Sequence, residues 1–474
     1  METDLLSIWR STSENKFKIN PEISIVIPTH NRCKMLCHVL DALCRQTASP
    51  QSYEVIVVAD GCNDGTIESV KRLFTPYPLI MIEQSDSGPA SARNQGAKAA
   101  SSPLLLFLDD DVVPERELVR AHLIAHKRWP KDVILGYTPF LNQTHQNNFA
   151  YIEDKMWWSN LFANQQHKEH RFSCDDLTTA NISINLNVFE EVGKFDESFH
   201  VCEDTEFGFR CLKRHVRFHF VQEAVARHHA YRPEKNYFQR NFNMGRAHVA
   251  FIRKHPNIVH VDWIPIGNLG ITPNWIYEYF SLDKIAFKIL WLNQDLAKFL
   301  SLWLRFLLYS AKICKNRKWY TRFLAKIYAY QYWSGVKVEL GSLAAAKQLA
   351  QEAYNLPIDF TEVRIDLKTD FDRLDEILNR LPADAVSLFF GNLYLGRISQ
   401  VVGLESLRPI HIYKVLIHLI KNNLGTDSIE WNSAELANES FLPSIKPEDL
   451  THLIKSREFD KLIQNLNLLS NDQE

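Results

Sequence analysis

Leu104 to Pro114 reads LLLFLDDDVVP. Five apolar residues in a row suit a strand buried on both faces, and the three carboxylates that follow stand where such a strand would leave the core. Adjacent carboxylates repel one another, so packing alone gives no reason to place Asp109, Asp110 and Asp111 together at a strand end. Hard oxygen donors of this kind suit Mg2+ or Mn2+, which usually keep waters and take further ligands from a substrate's phosphates. A solvated acidic turn is the plainer alternative.

Working outward, Ile23–Ile27 (ISIVI) predicts a strand ending at Pro28-Thr29-His30-Asn31, followed by a helix through Met35, Val39, Leu40 and Leu43. Glu54–Ala59 (EVIVVA) predicts a second strand ending at Asp60, and Leu79–Glu83 a third. Helices are expected from about Thr66 and over Pro89–Ala100. Strands alternating with helices imply an α/β fold with a mostly parallel sheet, whose ligands sit at the carboxyl ends of the strands. Pro28, Asp60 and the aspartate triplet all fall at such ends.

The 474 residues, 46% of them hydrophobic, allow two or three domains, and a formal net charge of -2 gives no reason to expect nucleic acid as a partner. The opening METDLLSIWR lacks the long apolar core of a secretory signal, so a cytoplasmic protein with an N-terminal arm over 1–22 is expected. No C-x-x-C pair occurs among the eight cysteines, which read as buried thiols. His122 and His126 share a helix face without the glutamate of a zinc-protease motif and read as solvated. From about Asn268 to Ala353 the pattern is helical. Lys284, Lys288, Lys298, Arg305, Lys312, Lys315, Arg317, Lys318, Arg322 and Lys326 are interleaved there with Trp291, Trp303, Trp319 and Tyr320. The segment 284–326 could lie on the inner face of an anionic membrane or pack as an ordinary amphipathic helix. Beyond residue 356, Val363–Leu367 and a hairpin turning at Gly391-Asn392 point to a small α+β module.

SIVIPTHNR (24–32), VVADGCNDGT (57–66), SGPASARNQG (87–96) with LLLFLDDDVVP, and VGKFDESFHVCEDTEFGFR (192–210) occur in one order. Together they resemble the family 2 glycosyltransferases, inverting enzymes of the GT-A fold. The resemblance implies a GT-A-type nucleotide-sugar-binding domain over 23–255, leaving a helical extension over 256–355 and the α+β module over 356–474 to be read independently. It implies that Asp60 accepts a hydrogen bond from the nucleobase, usually uracil, in a pocket lined by Pro28 and Thr29. Ala59 stands where an acidic residue often precedes that aspartate.

In the same resemblance the triplet corresponds to the D-x-D motif, with Asp109 toward the ribose or sugar, Asp110 between, and Asp111 on Mn2+ or Mg2+. Arg93 would brace the acidic motif or the diphosphate. Glu203-Asp204 corresponds to the E-D pair whose aspartate is the catalytic base, with Glu203 on the acceptor side. His228, chosen over His229 by spacing, would complete the metal site, and Asn181 would hold an acceptor hydroxyl. A non-processive transfer from a nucleotide sugar, UDP-linked, to a saccharide, lipid-linked or protein hydroxyl is implied, because the Q-x-x-R-W motif of the processive synthases is absent. Two other readings stay open: a sugar nucleotidyltransferase, and a catalytically silent carbohydrate-binding scaffold.

Overall fold

A computed structural model describes residues 7–10, 20–141, 149–229, 234–261, 264–266, 290–291, 294–421 and 430–431. Most of the expected N-terminal arm, Lys284, Lys288 and the end of the C-terminal module lie outside them. The chain divides into two compact units, one of residues 1–164 and 174–356, the other of 165–173 and 357–474. The expected boundary between residues 255 and 256 therefore does not separate two bodies. The expected 23–255 domain, moreover, lends a nine-residue segment to the second unit.

The first unit is built on strands β1 (Ser7–Arg10), β2 (Ile23–Thr29), β3 (Tyr53–Asp60), β4 (Leu79–Gln84), β5 (Leu104–Leu108), β6 (Val112–Pro114), β7 (Val133–Tyr137), β8 (Asn181–Asn185) and β9 (Phe218–His228). They form one sheet in the order β1-β4-β3-β2-β5-β8-β7-β9-β6. From β4 to β5 the pairings are parallel, as the apolar runs predict, and β3 is buried along its whole length. Beyond β5 the sheet is mixed. β8 runs antiparallel to both β5 and β7, β7 pairs with β9 in parallel, and β6 pairs with β9 in antiparallel fashion. This corrects the mostly parallel expectation for half of the sheet; the α/β, GT-A-like architecture stands.

Helices α1 (Cys33–Leu43), α2 (Thr66–Lys71), α3 (Pro89–Ala99) and α4 (Leu118–Arg128) alternate with these strands. Leu36, Val39, Leu40 and Leu43 form the buried stripe of α1 and join Ile25, Ile27, Val55 and Val57 in the core. At this degree of burial each such side chain contributes about 1.5–3 kcal/mol. α5 (Phe149–Gln165), α6 (Leu186–Val192), α7 (Glu203–Lys213) and α8 (Glu234–Lys254) follow. The extension is α9 (Gln294–Ile313), α10 (Arg317–Leu340) and α11 (Leu343–Tyr354). α8 and α10 cross at Gly245 and Gly335, where a Cβ on either would lie 2.0 Å from a carbonyl oxygen of the other helix. Only glycine permits that approach.

In the second unit, β10 (Glu362–Asp366) runs parallel to β11 (Ala385–Phe390), which turns at Gly391 into the antiparallel β12 (Leu393–Ile398). β13 (Glu430–Trp431) completes the sheet, and α12 (Leu374–Arg380) and α13 (Pro409–Lys421) supply Leu374, Leu378, Ile412 and Val415 to its core. Arg171, from the borrowed segment, donates to the carbonyls of Glu405 at 2.8 Å and Asp384 at 3.1 Å. Burial pushes its pKa down to about 10.

Three expectations fail on burial. Cys174, Cys202 and Cys211 are buried, but Cys33, Cys37, Cys44 and Cys62 are half-buried and Cys314 is exposed. His122 and His126 are buried rather than solvated. Tyr320, read as part of an interfacial aromatic set, is fully buried in the packing of α9 and α10.

Candidate functional site

β2, β3 and β5 are parallel neighbours in the register Val26 to Ile56 and Phe107, so their carboxyl ends open on one crevice. At the end of β2, Thr29 donates from Oγ1 to Asp110 Oδ2 at 2.7 Å. Three residues on, Arg32 Nη1 reaches Asp110 Oδ1 at 2.8 Å and Asp111 Oδ2 at 2.7 Å. Arg32 was not among the expected site residues. The signal lay in the chain, since an arginine after a strand-end Pro-Thr can meet carboxylates of the next strand, but only the β2–β5 pairing makes that meeting specific. Burial pushes Asp110 up, Arg32 draws it down and Asp111 pushes it up again, to about 6.

At the end of β3, Asp60 accepts from Gln84 Nε2 and Ser87 N with Oδ1, both at 2.8 Å, and from Gly88 N with Oδ2 at 2.9 Å. It thereby fixes the β4–α3 loop, the turn-partner role available to any strand-end aspartate. A carboxylate offers about four acceptor positions, and these bonds fill three of them. Pro28 is half-buried at the preceding strand end. Gly61, next in the chain, has φ +63, and a Cβ there would lie 2.8 Å from Asp86 Cβ.

Arg93 lies on α3 and is buried, 4% exposed. Its Nη2 donates to Asp109 Oδ1 at 2.8 Å and its Nη1 to Glu203 Oε1 at 2.9 Å. One guanidinium thus joins the aspartate triplet to the start of α7, 110 residues away from Arg93. Glu203 is buried, and burial followed by the charge of Asp204 pushes it up to about 7 against the pull of Arg93. Asp204 is half-buried; its Oδ1 accepts from Thr205 N at 2.8 Å, the bond of a helix N-terminus. Cys202, just before the pair, has φ +65, a left-handed backbone at the N-cap of α7. Asp175, in the short turn Cys174–Asp176, is pushed up to about 7 by burial and by Asp176 and Asp204.

The β6–β9 pairing sets Val112 opposite His228, which carries the imidazole to the triplet. His228 Nε2 stands 3.5 Å from Asp111 Oδ1, beyond a hydrogen bond, and its buried Nδ1 has no partner. Phe140 and Trp158 meet the ring edge-on at 5.0 and 5.2 Å. His229 instead donates its backbone N–H to the Asp111 carbonyl at 2.8 Å. Among the described residues no three carboxylate, imidazole or thiol groups are gathered as a metal cluster. The donors that do meet, the Asp111 carboxylate and Nε2 of His228, are nevertheless of the kind that suits Mn2+ or Mg2+. Arg32 supplies the positive charge between the carboxylates.

Asn181 is corrected. Its side chain is 1% exposed, Nδ2 donates to Ala224 O at 2.9 Å, and Oδ1 meets His122 Nε2 at 2.9 Å. A Cβ on Gly136 would fall 2.1 Å from Asn181 Nδ2. Ser183 Oγ lies 2.7 Å from His122 Nδ1 and 2.8 Å from His126 Nε2. Donor and acceptor roles balance if both rings are neutral, in keeping with burial that holds the two histidines at about 3 and 4. This network pins α4 to β8, and at 1% exposure the Asn181 amide lies out of reach of an acceptor hydroxyl.

Residues 24–193 match the family described as glycosyl transferase family 2. The uncharacterized glycosyltransferase YwdF of Bacillus subtilis (strain 168) is 41% identical over 195 residues, 40% of this chain and 68% of its own. Validoxylamine A glucosyltransferase of Streptomyces hygroscopicus subsp. limoneus is 31% identical over 280 residues, covering 53% of this chain and 60% of its own, so this chain spans less than two thirds of that relative. The mannosyltransferase PcManGT of Pyrobaculum calidifontis, solved with GDP-Man and Mn2+, overlaps 66% of this chain and 86% of its own at 15% identity and a TM-score of 0.42, a likeness too loose for comparing residues. With the ordered motifs on one crevice and a relative of this identity matched over most of its length, the chain belongs to the family 2 glycosyltransferases.

Proposed function

We propose that the chain transfers a sugar from a nucleotide sugar, UDP-linked, to a hydroxyl acceptor with inversion at the anomeric carbon, in glycan or polysaccharide biosynthesis. The observation that carries this reading is Arg93, buried and bonded at once to Asp109 and Glu203, which sets the acidic motif and the E-D pair at a fixed separation on one crevice. Asp60, with an acceptor position to spare, would receive a base N–H beside Pro28 and Thr29. Asp109 and Asp110 would line the donor. Asp204, with Oδ1 held by its own helix, has Oδ2 to take a proton from the incoming hydroxyl, the task of a general base. Glu203, braced by Arg93, would fix the acceptor-side wall. Asp111 and His228 would hold Mn2+ or Mg2+, whose contribution when bound is to neutralise charge on the departing diphosphate.

The test combines thermal-shift titration of nucleotide sugars, with and without Mn2+, and NMR of the product's anomeric signal. A rise in melting temperature with donor, enhanced by Mn2+, and an inverted product are expected. Release of pyrophosphate from a nucleoside triphosphate and a sugar phosphate would replace the proposal with nucleotidyl transfer. Binding of a saccharide with no need for nucleotide would replace it with the silent scaffold.

A further inference from the structure

α9 buries Leu304, Leu308 and Ala311 against α8 and α10, and among the described residues its opposite side is exposed. Phe299, Leu302, Trp303, Phe306, Tyr309 and Ile313 are between 51% and 66% exposed. At 100° per residue these six fall within an arc of about 120°, centred opposite the packed face. Lys298, Arg305 and Lys312, spaced by seven, form a row along one flank of that arc, and all three are exposed. No described helix is long and apolar enough to cross a membrane.

The apolar face continues past the end of α9. Trp319, at the start of α10, is 48% exposed beneath Arg322, among the exposed Lys315, Arg317 and Lys318. Arg317 Nη2 meets Met156 Sδ of α5 at 3.8 Å, and Met156 and Trp157 are themselves 48% and 46% exposed. Trp157 packs edge-on against Trp158, and Trp158 against His228. The surface therefore runs from the α9 stripe, by way of the basic turn, to the edge of the crevice.

We infer that this surface seats the protein on an anionic lipid bilayer, with the α9 stripe entering the boundary between headgroups and acyl chains and the basic residues meeting the headgroups. A soluble partner would need only part of such a face. Large aromatic and aliphatic side chains along one arc of α9, basic residues along its flank and further exposed tryptophans at Trp319 and Trp157 match the layered polarity of a bilayer surface. Lysine and arginine stems can lie along the apolar layer while their charges stay at headgroup depth. Seated in this way, the crevice opens close to the lipid surface, where a hydroxyl acceptor carried on a lipid would be presented. The inference does not depend on the chemistry proposed for the crevice.

Cosedimentation of the full chain with phosphatidylcholine vesicles, with and without phosphatidylglycerol, tests it. Wild-type protein should pellet with the mixed vesicles, less with phosphatidylcholine alone, and less again at high salt. Leu302→Gln/Phe306→Gln/Tyr309→Gln should lower partitioning by about tenfold or more with no drop in melting temperature, since these side chains support no core. Lys298→Gln/Lys312→Gln should weaken the phosphatidylglycerol preference while keeping most of the binding to phosphatidylcholine alone. Equal pelleting of wild type and triple variant overturns the inference. So does a wild-type dimer that ignores vesicles and that the triple variant splits into monomers, which would assign the face to a second copy.

Discussion

Glu203 and Glu206 stand one turn apart on α7, both buried, yet their carboxyl groups are driven in opposite directions. Burial raises the pKa of Glu206, but bonds from His255, Arg210 and Lys254 overcome it and hold the group at about 2. Glu203 has one cation, Arg93, against burial and the neighbouring Asp204, and rises to about 7. The packed side of α7 has more positive charge than its carboxylate needs; the crevice side has less. A structural ion cluster is neutralised within the protein, whereas the crevice keeps an excess of negative charge that a cation or a hydroxyl donor can relieve.

The comparison breaks most sharply at Asp204. Asp204→Asn should lower turnover by roughly 10^2–10^4 with donor binding nearly intact, because it removes the base and keeps the shape. Steady-state rates beside donor titration check this, and unchanged turnover would remove Asp204 from the chemistry. Glu206→Gln should instead cost stability, about 3 kcal/mol by chemical denaturation at neutral pH, by leaving Arg210, Lys254 and His255 without their common anion.

Titration sharpens the contrast. The carboxylate of Glu206 is lowered from 4.5 to about 2, so its contribution is present above pH 4.5 and lost as pH falls toward 2. Wild type and Glu206→Gln should converge in stability over that interval. The carboxylate of Glu203 is raised from 4.5 to about 7, so the stability tied to its protonated form is present below pH 4.5 and lost as pH rises through 7. Denaturation curves of wild type minus Glu203→Gln should therefore slope downward between those values, opposite in sign to the Glu206 series. The smallest effect is expected at the exposed pair Arg45–Asp41, where Asp41→Asn should move stability by less than about 0.5 kcal/mol.

Legibility in the chain follows the range of the interaction. Strands β2, β3, β4 and β5 were readable because each is an apolar run bounded by polar residues, and the β11–β12 hairpin because Gly391-Asn392 marks its turn. The Glu203-Asp204 pair was readable as a motif, since its two members are adjacent in the chain. Arg32 was missed, Asn181 misassigned and His122 placed on the wrong side of its helix for one shared reason. In each case the partner lies on an element brought in by the sheet, as with Arg32 and Asp110, 78 residues apart, or His122 and Asn181, 59 apart.

Residue order alone determined the alternation of strands and helices, the ends at which acidic side chains emerge, and the family. Those properties depend on periodicity and on neighbours a few residues apart, which the chain carries whatever its fold. Tertiary structure alone decided that β8 runs antiparallel in the sheet, that Arg93 joins Asp109 to Glu203, and which face of α9 is left uncovered. Each of these requires non-local pairing, and no local pattern specifies which distant carboxylate an arginine will meet once the backbone has closed around it.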